Sequence, residues 1–316
     1  MRRAAIVLCA VATIWAVAAL CFDFPVAWLR WPLALGYLAF VVVVARKKMA
    51  LWLGSLALVM GWWFSLKPAE NRNWQADVAR VPWAEVAGDR AILHDIRNCD
   101  YVTETNYTPR WETKTFQTSD IRGVDLFLSY WGMESIAHAI VSFEFADGNH
   151  LGTSIEARKT VGQEYSAIRG FFRQFQTIYL ISEESDVVRV RTNYRGESVY
   201  LYRTQTTPRD AQNLFRHYLE WVNEAREQAE WYNAVTSNCA TNFVLYLAKA
   251  KIGGVSPWDW RTLFVGKGDE LLYEKGDLVG AGLPFAELKR RALIRERPGA
   301  ADFSRQIRVN RPGFQK

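Results

Sequence analysis

Cys239 stands in a polar turn, residues 232–242, that leads directly into an apolar run at 243–248. Asn, Ser and Thr are the residues that most often cap the N-terminus of a helix. The sequence therefore predicts that Cys239 lies in the first turn of a helix, where unpaired backbone N–H groups and the helix dipole stabilise a thiolate. A nucleophilic cysteine also needs a base within hydrogen-bonding distance and a third group that orients the base.

The base and the third group are predicted on neighbouring strands of one hairpin. Residues 136–145 and 149–158 alternate apolar and polar side chains, and the turn 146–148 (Ala-Asp-Gly) separates them. If Phe145 faces Asn149, one face carries the pairs Phe143–Leu151, Val141–Thr153 and Ala139–Ile155. The other face then carries Glu144–His150, Ile140–Ser154 and His138–Glu156. This register places a carboxylate opposite a histidine, and a slip of one residue would mix the two faces.

These residues give a hypothesis for a thiol enzyme. Cys239 is the candidate nucleophile, His138 the base and Glu156 the group that holds the imidazole. The backbone N–H of Cys239, together with a donor such as Asn238 or Tyr232, is a candidate oxyanion hole. The alternative is a buried structural cysteine and a strand histidine whose hydrogen bonds are satisfied within the core.

Two further polar residues share a strand face with Glu156. Ser154 and Arg158 are candidates for contacting substrate, and Arg158 could bind a phosphate or carboxylate or form a surface ion pair. Cys99 is a second cysteine of the globular part, so a Cys99–Cys239 disulfide is an alternative that would remove the nucleophile. The sequence has no paired Cys or His spacing, so we expect no metal, and nothing in it suggests a cofactor.

The first 66 residues predict a membrane region with three apolar segments, at about 4–21, 26–45 and 49–66. Basic residues precede the first segment and separate the second from the third, which predicts a cytoplasmic N-terminus. Everything after residue 67 then lies outside, so we expect a multi-pass protein of the bacterial inner (cytoplasmic) membrane with a periplasmic domain. The first segment also fits a cleaved signal peptide.

The net charge of +6 is concentrated near the C-terminus. Residues 285–316 contain nine Lys or Arg and three Asp or Glu. We therefore expect residues 286–316 to form a basic tail, either along anionic lipid or free in solvent. No basic-aromatic signature of nucleic-acid binding accompanies it.

The sequence pattern of residues 67–285 predicts a single α+β domain built on an antiparallel sheet. The sequence Thr207-Pro208-Arg209-Asp210 predicts the start of a helix that runs to about residue 230. Besides the hairpin, strands are predicted at 91–101, 111–116, 124–128, 171–182, 186–192 and 198–203.

Six short motifs follow one another along the globular part. They are Trp74-Gln75 with Asp77, Ile96-Arg97-Asn98, Ala137-His138-Ala139, Ser154-Ile155-Glu156-Ala157-Arg158, Asp186 with Arg191-Thr192, and Tyr232-Asn233 with Asn238-Cys239-Ala240-Thr241-Asn242. In this order they resemble the periplasmic domain of the Lnb-type lipoprotein N-acyltransferases. The resemblance covers roughly residues 73–285. It implies a papain-like (permuted NlpC-like) core and a thiol acyl-enzyme, with Cys239 as nucleophile, His138 as base and Glu156 as third member.

The resemblance leads to a functional hypothesis with two alternatives. The hypothesis is a membrane-anchored cysteine acyltransferase that acts on lipoproteins or on acyl groups from phospholipid. The first alternative is a cell-wall (peptidoglycan) amidase or peptidase that uses the same Cys-His pair, and the second is a non-catalytic membrane-tethered module. The named acyltransferases carry further membrane segments after this domain, whereas this chain has its apolar segments before it.

Overall fold

The computed structural model describes residues 2–44, 48–69, 71–238, 241, 261 and 265–314. Cys239, the predicted nucleophile, lies outside the described residues.

The N-terminal region consists of three apolar helices, α1 (Arg2–Asp23), α2 (Arg30–Val44) and α3 (Met49–Ser65). The segments Ile6–Asp23 and Ala27–Val44 are long and apolar enough to cross a membrane. Only a minority of their residues are buried inside the protein, 22% of the first segment and 11% of the second, as expected for segments that face lipid. Helix α3 has 17 residues and is shorter, so the third crossing stays a prediction.

The globular domain is built on an eight-stranded sheet with a separate two-stranded ribbon, β3–β4. The strand order is β1-β2-β9-β8-β7-β6-β10. The eighth strand, β5, lies off this path and also pairs with β2. The strands are β1 (Trp83–Ala87), β2 (Arg90–Arg97), β3 (Asp100–Tyr101), β4 (Tyr107–Thr108), β5 (Trp111–Gln117), β6 (Ile121–Tyr130), β7 (Ala137–Phe145), β8 (His150–Arg158), β9 (Gln176–Glu183) and β10 (Ser198–Arg203). The domain is α+β, as predicted. The sheet is mixed rather than antiparallel throughout, because β2 and β9 pair in parallel at Arg97 and Ser182.

The predicted strand at 186–192 is wrong. Residues Glu184–Val187 form the short helix α4, and Val190–Tyr194 form a π-helical turn. The β-branched residues of this stretch favour a strand by propensity, but tertiary packing overrides that preference. Val187, Val188 and Val190 are all buried, which a helical turn laid across the sheet achieves and an alternating edge strand would not.

The first core lies between one face of the sheet and helix α5 (Pro208–Glu227). Thr207 caps α5, because its hydroxyl accepts a hydrogen bond from the Asp210 N–H at 3.2 Å. Both the cap and the start of this helix confirm the prediction. The α5 side chains that face the sheet are buried, and they are Ala211, Leu214, Phe215, Tyr218, Leu219 and Val222.

The second core covers the opposite face of the sheet and includes residues predicted to be a basic tail. After α6 (Gly268–Lys275), the chain forms α7 (Phe285–Ala292) and α8 (Phe303–Gln306). Ile294, Phe303 and Ile307 are buried against the sheet and α4. The expectation of a tail along lipid or free in solvent is therefore corrected: residues 285–314 pack on the domain, because apolar residues alternate with the basic ones.

A buried arginine fixes this C-terminal segment to the sheet. Arg308 donates to the carboxylates of Asp125 on β6, at 2.7 and 3.0 Å, and of Glu184, at 2.6 and 2.8 Å. Both carboxylates are fully buried. Burial alone would raise the pKa of Glu184, but the charge of Arg308 and its hydrogen bonds lower that pKa to about 2.

The membrane helices and the domain meet at the end of α1. The Asp23 carboxylate accepts hydrogen bonds from the Trp63 indole at 2.7 Å, the Arg173 N–H at 3.1 Å and the Gln174 amide at 2.6 Å. Trp231 donates its indole N–H to the Leu66 carbonyl at 2.9 Å. The β9 end of the sheet that begins at Gln176 therefore faces the membrane helices.

We predict that Arg308→Ala lowers the free energy of unfolding by about 3–5 kcal/mol, because the substitution leaves two buried carboxylates without this cation. Arg305→Ala is the matched control, since the Arg305 side chain is 75% exposed. We expect it to change the free energy by less than about 0.5 kcal/mol. Denaturant unfolding of the full chain in detergent measures both, and equal effects would contradict the prediction. If Arg308→Ala does not fold, Arg308→Lys is compared with Arg305→Lys in the same assay.

Candidate active site

The hairpin of β7 and β8 has the predicted register. Ile140 pairs with Ser154, Val141 with Thr153, Phe143 with Leu151 and Glu144 with His150. The Phe145 N–H donates to the Asn149 carbonyl at 2.9 Å, so the loop has three residues, and Gly148 adopts the positive φ of 82° that this turn requires. His138 and Glu156 lie beyond the last paired residues, on the same face as Ile140 and Ser154.

A hydrogen-bonded chain connects the histidine to the carboxylate through a hydroxyl. His138 Nε2 lies 2.6 Å from Ser154 Oγ, and Ser154 Oγ donates to Glu156 Oε1 at 3.1 Å. The direct distance from His138 Nε2 to Glu156 Oε1 is 3.6 Å. Since the hydroxyl proton goes to the carboxylate, Nε2 must donate to Ser154. The predicted direct contact between His138 and Glu156 is thus mainly indirect, with Ser154 between them.

Arg191 holds the carboxylate end of this chain. Its guanidinium donates to Glu156 Oε1 at 2.9 Å and to the Val187 carbonyl at 2.5 Å. Burial alone would raise the pKa of the Glu156 carboxyl, but the charges of Arg191 and His138 outweigh burial and hold that pKa well below its usual value of 4.5. Glu156 is therefore a fixed anion at neutral pH.

The neighbouring strand contributes a second carboxylate. Ser129 on β6 pairs with His138 and donates its hydroxyl to Glu197, whose carboxylate lies 3.9 Å from the Arg191 guanidinium. Arg191 thus lies between two carboxylates, and all these side chains are buried or nearly so. We call His138, Ser154 and Glu156 the polar row. Arg191, in the π-helical turn Val190–Tyr194, contacts this row on the face of the sheet opposite α5.

The turn before Cys239 ends in a reciprocal pair of hydrogen bonds. Asn238 Oδ1 accepts from the Thr241 N–H at 3.0 Å, and Thr241 Oγ1 accepts from the Asn238 N–H at 2.9 Å. This exchange between residues i and i+3 is the pattern of a capping box at the start of a helix. It agrees with the predicted helix N-terminus around Cys239, whose own position lies outside the described residues.

Two predicted site residues are engaged elsewhere. Arg158 donates to the carbonyls of Val78 and Ala79 at 2.8 and 2.7 Å, and its guanidinium lies 4.2 Å from the centre of the Trp74 ring. Tyr232 is buried, with its hydroxyl 3.3 Å from that of Tyr165. Neither contact joins the chain from His138 to Arg191.

Cys99 is a free thiol, so the alternative of a Cys99–Cys239 disulfide is not realised. It is buried in the short connection between β2 and β3, and its backbone N–H donates to Asp186 at 2.6 Å. Burial and the nearby Asp186 charge raise the pKa of the Cys99 thiol to about 12. Such a thiol is protonated at neutral pH and is a poor nucleophile.

Arg191 and Glu197 were not among the site residues predicted from the sequence. The interpretation of 186–192 as a strand did not place Arg191 beside Glu156, and Glu197 lies in the loop that follows the helical stretch. A buried acid on β8 requires a cation, and that requirement is the signal that could have directed attention to Arg191. In the part of the chain that the structure describes, no group of three or more His, Cys, Asp or Glu is arranged to hold a metal ion.

A comparison with protein families identifies a match over half of the chain. The family of the Lnb N-terminal periplasmic domain matches residues 107–266, half of the chain. The chain belongs to this family. The matched range contains the hairpin, Arg191 and Cys239, and it confirms the resemblance noted in the sequence. Together with the apolar N-terminal helices, membership identifies a membrane-associated protein with a periplasmic domain. Comparisons with curated proteins and with solved structures found no match.

We predict that the stability conferred by Glu156 depends on pH. A folded-state pKa below 4.5 means that the folded protein binds fewer protons than the unfolded chain, so this stabilisation is fully present above about pH 4.5 and is lost as the pH falls towards the folded pKa. The difference in unfolding free energy between the native chain and Glu156→Gln should therefore be largest at neutral pH and shrink below about pH 4.5.

Denaturant unfolding at a series of pH values measures this difference. Glu227→Gln, at an exposed position of α5, is the control and should show little difference at any pH. A difference for Glu156→Gln that is the same at neutral and acid pH would contradict a depressed pKa.

Proposed function

We propose that this protein is a membrane-anchored periplasmic cysteine acyltransferase that works through an acyl-thioester on Cys239. The acyl donor is a membrane phospholipid or a lipoprotein ester, and the acceptor is an amine, with a lipoprotein amine as the first candidate. The protein spans the bacterial inner membrane more than once through its N-terminal helices. The observation that carries the proposal is the chain from His138 through Ser154 and Glu156 to Arg191, at the end of the sheet that faces the membrane helices.

The tautomer of the histidine supports a role as base. Because Nε2 donates to Ser154, the nitrogen that would exchange protons with substrate and nucleophile is Nδ1. When Nδ1 gains a proton, the positive charge on the ring is stabilised through Ser154 by the anionic Glu156. Arg191 keeps Glu156 ionised and fixes its position, so we propose Ser154, Glu156 and Arg191 as positioning residues.

The reaction would run in two half-reactions. In the first, the Cys239 thiolate attacks the ester carbonyl, the thioester bond forms, and the ester C–O bond breaks as protonated His138 gives its proton to the leaving alkoxide. In the second, the acceptor amine attacks the thioester, His138 takes a proton from the amine, and the thiolate leaves. An amide is the product, and the enzyme returns to its starting state.

The position of the site favours a lipid substrate. Glu156 pairs with Ile178 on β9, two residues or about 7 Å along the strand from Gln176. The Gln176 side chain donates to the carbonyl of Ala69, at the end of the segment that follows α3. Tethering the domain there raises the effective concentration of membrane substrates at the site.

We predict that the full chain, incubated in lipid nanodiscs, acquires the mass of one acyl group in a bond that hydroxylamine cleaves. Cys239→Ala should abolish the adduct. His138→Ala should slow its formation by about 10²–10⁴-fold. Intact mass spectrometry measures the adduct, with Cys9→Ala and His217→Ala as controls at positions outside the site.

The second half-reaction is tested with an acceptor peptide that carries a free amine. Loss of the adduct with formation of an amide supports transfer, and loss with a free fatty acid alone would mean hydrolysis. Labelled muropeptides serve as the competing substrate: cleavage that depends on Cys239 in place of an acyl adduct would contradict the acyltransferase and support an amidase. Full native function in Cys239→Ala would contradict any thiol enzyme.

A separate prediction concerns Ser154. We propose that the Ser154 hydroxyl, hydrogen-bonded to both His138 and Glu156, couples the negative charge of Glu156 to the imidazole ring. Ser154→Ala should therefore slow adduct formation by about 10–100-fold, as removal of an orienting partner commonly does. It should also shift the pH dependence of the rate, which a purely structural effect would not do. Thr153→Ser, one residue away on the opposite face of β8, is the control.

A further inference from the structure

Several apolar side chains remain exposed beside the point where the domain meets the membrane helices. The loop between β8 and β9 exposes Ile168 (63%) and Phe171 (44%), and the turn before Cys239 exposes Val235 (44%). These positions adjoin one another: the Ala234 N–H donates to the Gly170 carbonyl at 2.8 Å, and the Phe171 N–H donates to that of Ile168 at 3.2 Å. We call Ile168, Phe171 and Val235 the apolar rim.

The residues that follow the rim in the β8–β9 loop contact the membrane helices α1 and α3 directly. Phe172, next to Phe171, is buried, and its ring centre lies 4.9 Å from that of Phe22 near the end of α1. The Arg173 guanidinium lies 4.1 Å from the centre of the Trp63 ring. Aromatic residues at helix ends mark the boundary between lipid and water, so this contact lies at the membrane interface.

Gly170 makes the close contact between loop and turn possible. A Cβ at residue 170 would lie 3.0 Å from the Ala234 side chain and 3.5 Å from the Tyr232 ring. The turn that leads to Cys239 is therefore packed directly on the loop that contacts α1. The loop thus carries two of the three rim residues and supports the turn that holds the third, Val235, and leads to the predicted nucleophile.

From these contacts we infer that the apolar rim inserts into the periplasmic leaflet of the bilayer. The partner is the lipid surface itself, because the rim continues the contact that Phe172 makes with α1. Arg169 is exposed in the same loop, and its charge is suited to the lipid phosphates just above the rim. The domain therefore rests on the membrane through its own side chains as well as through the helices.

The test measures the depth of single labels in the full chain. An environment-sensitive fluorophore is attached to Ile168→Cys, Phe171→Cys or Val235→Cys, in a background of Cys9→Ala, Cys21→Ala and Cys239→Ala. Cys99 is retained because it is buried. Val102→Cys is the matched control, since Val102 is an exposed apolar residue (70%) that lies outside the rim, in the loop between the two ribbon strands β3 and β4. Labelled proteins are placed in nanodiscs.

Two quenchers are compared: a nitroxide on the lipid acyl chain near its carbonyl end, and a nitroxide in water. We expect the lipid nitroxide to quench labels at the rim strongly and the aqueous nitroxide to quench them weakly, with the reverse at Val102. Rim labels that respond like Val102 would overturn the inference. Rim labels shielded from both quenchers would also overturn it, because protein would then cover the rim.

The assay reads position only, and its background lacks Cys239. Its result is therefore independent of whether the protein transfers acyl groups. A failed quenching experiment would leave the acyltransferase proposal untouched, and a failed acylation assay would leave the rim untouched.

Discussion

The pairing register of β7 and β8 is the constraint on which the rest of the site depends. Successive side chains of a strand point to opposite faces, so one register sends the apolar residues to α5 and sends His138, Ser154 and Glu156 to the other face. The core and the polar row are therefore two results of one pairing. A shift of one residue would bury the polar row under α5 and move the α5-facing core residues to the opposite face, so the energy of core packing fixes the site.

Much of this could be predicted from the sequence because it is local. The hairpin has alternating strands and a turn with glycine, and α5 has a threonine cap followed by proline, so neither element needs information from distant parts of the chain. The resemblance to the Lnb family rested on motifs in the same segments. The capping pair of Asn238 and Thr241 is another local signal, since both residues lie within four positions.

What the sequence did not reveal depends on contacts between distant segments. Residues 186–192 have the composition of a strand, and they become helical because their valines fill the space above the sheet. The C-terminal segment looked like a basic tail because its charges are evident in the sequence, whereas their buried partners are not. Ser154 illustrates the same limit: the register predicted its face but not that its hydroxyl would separate His138 from Glu156.

The contact between Arg308 and Asp125 also bears on how the domain is made. The two residues are 183 positions apart, and a chain is synthesised at roughly 5–20 residues per second, so about 10–40 s separate their appearance. During that interval the buried Asp125 carboxylate has Arg203 but lacks Arg308, and the Glu184 carboxylate also lacks Arg308. Complete folding must therefore wait until residues near 308 have been exported. Until then, the nascent domain exposes the sheet face that its C-terminal segment later covers, and periplasmic chaperones and proteases can reach that face.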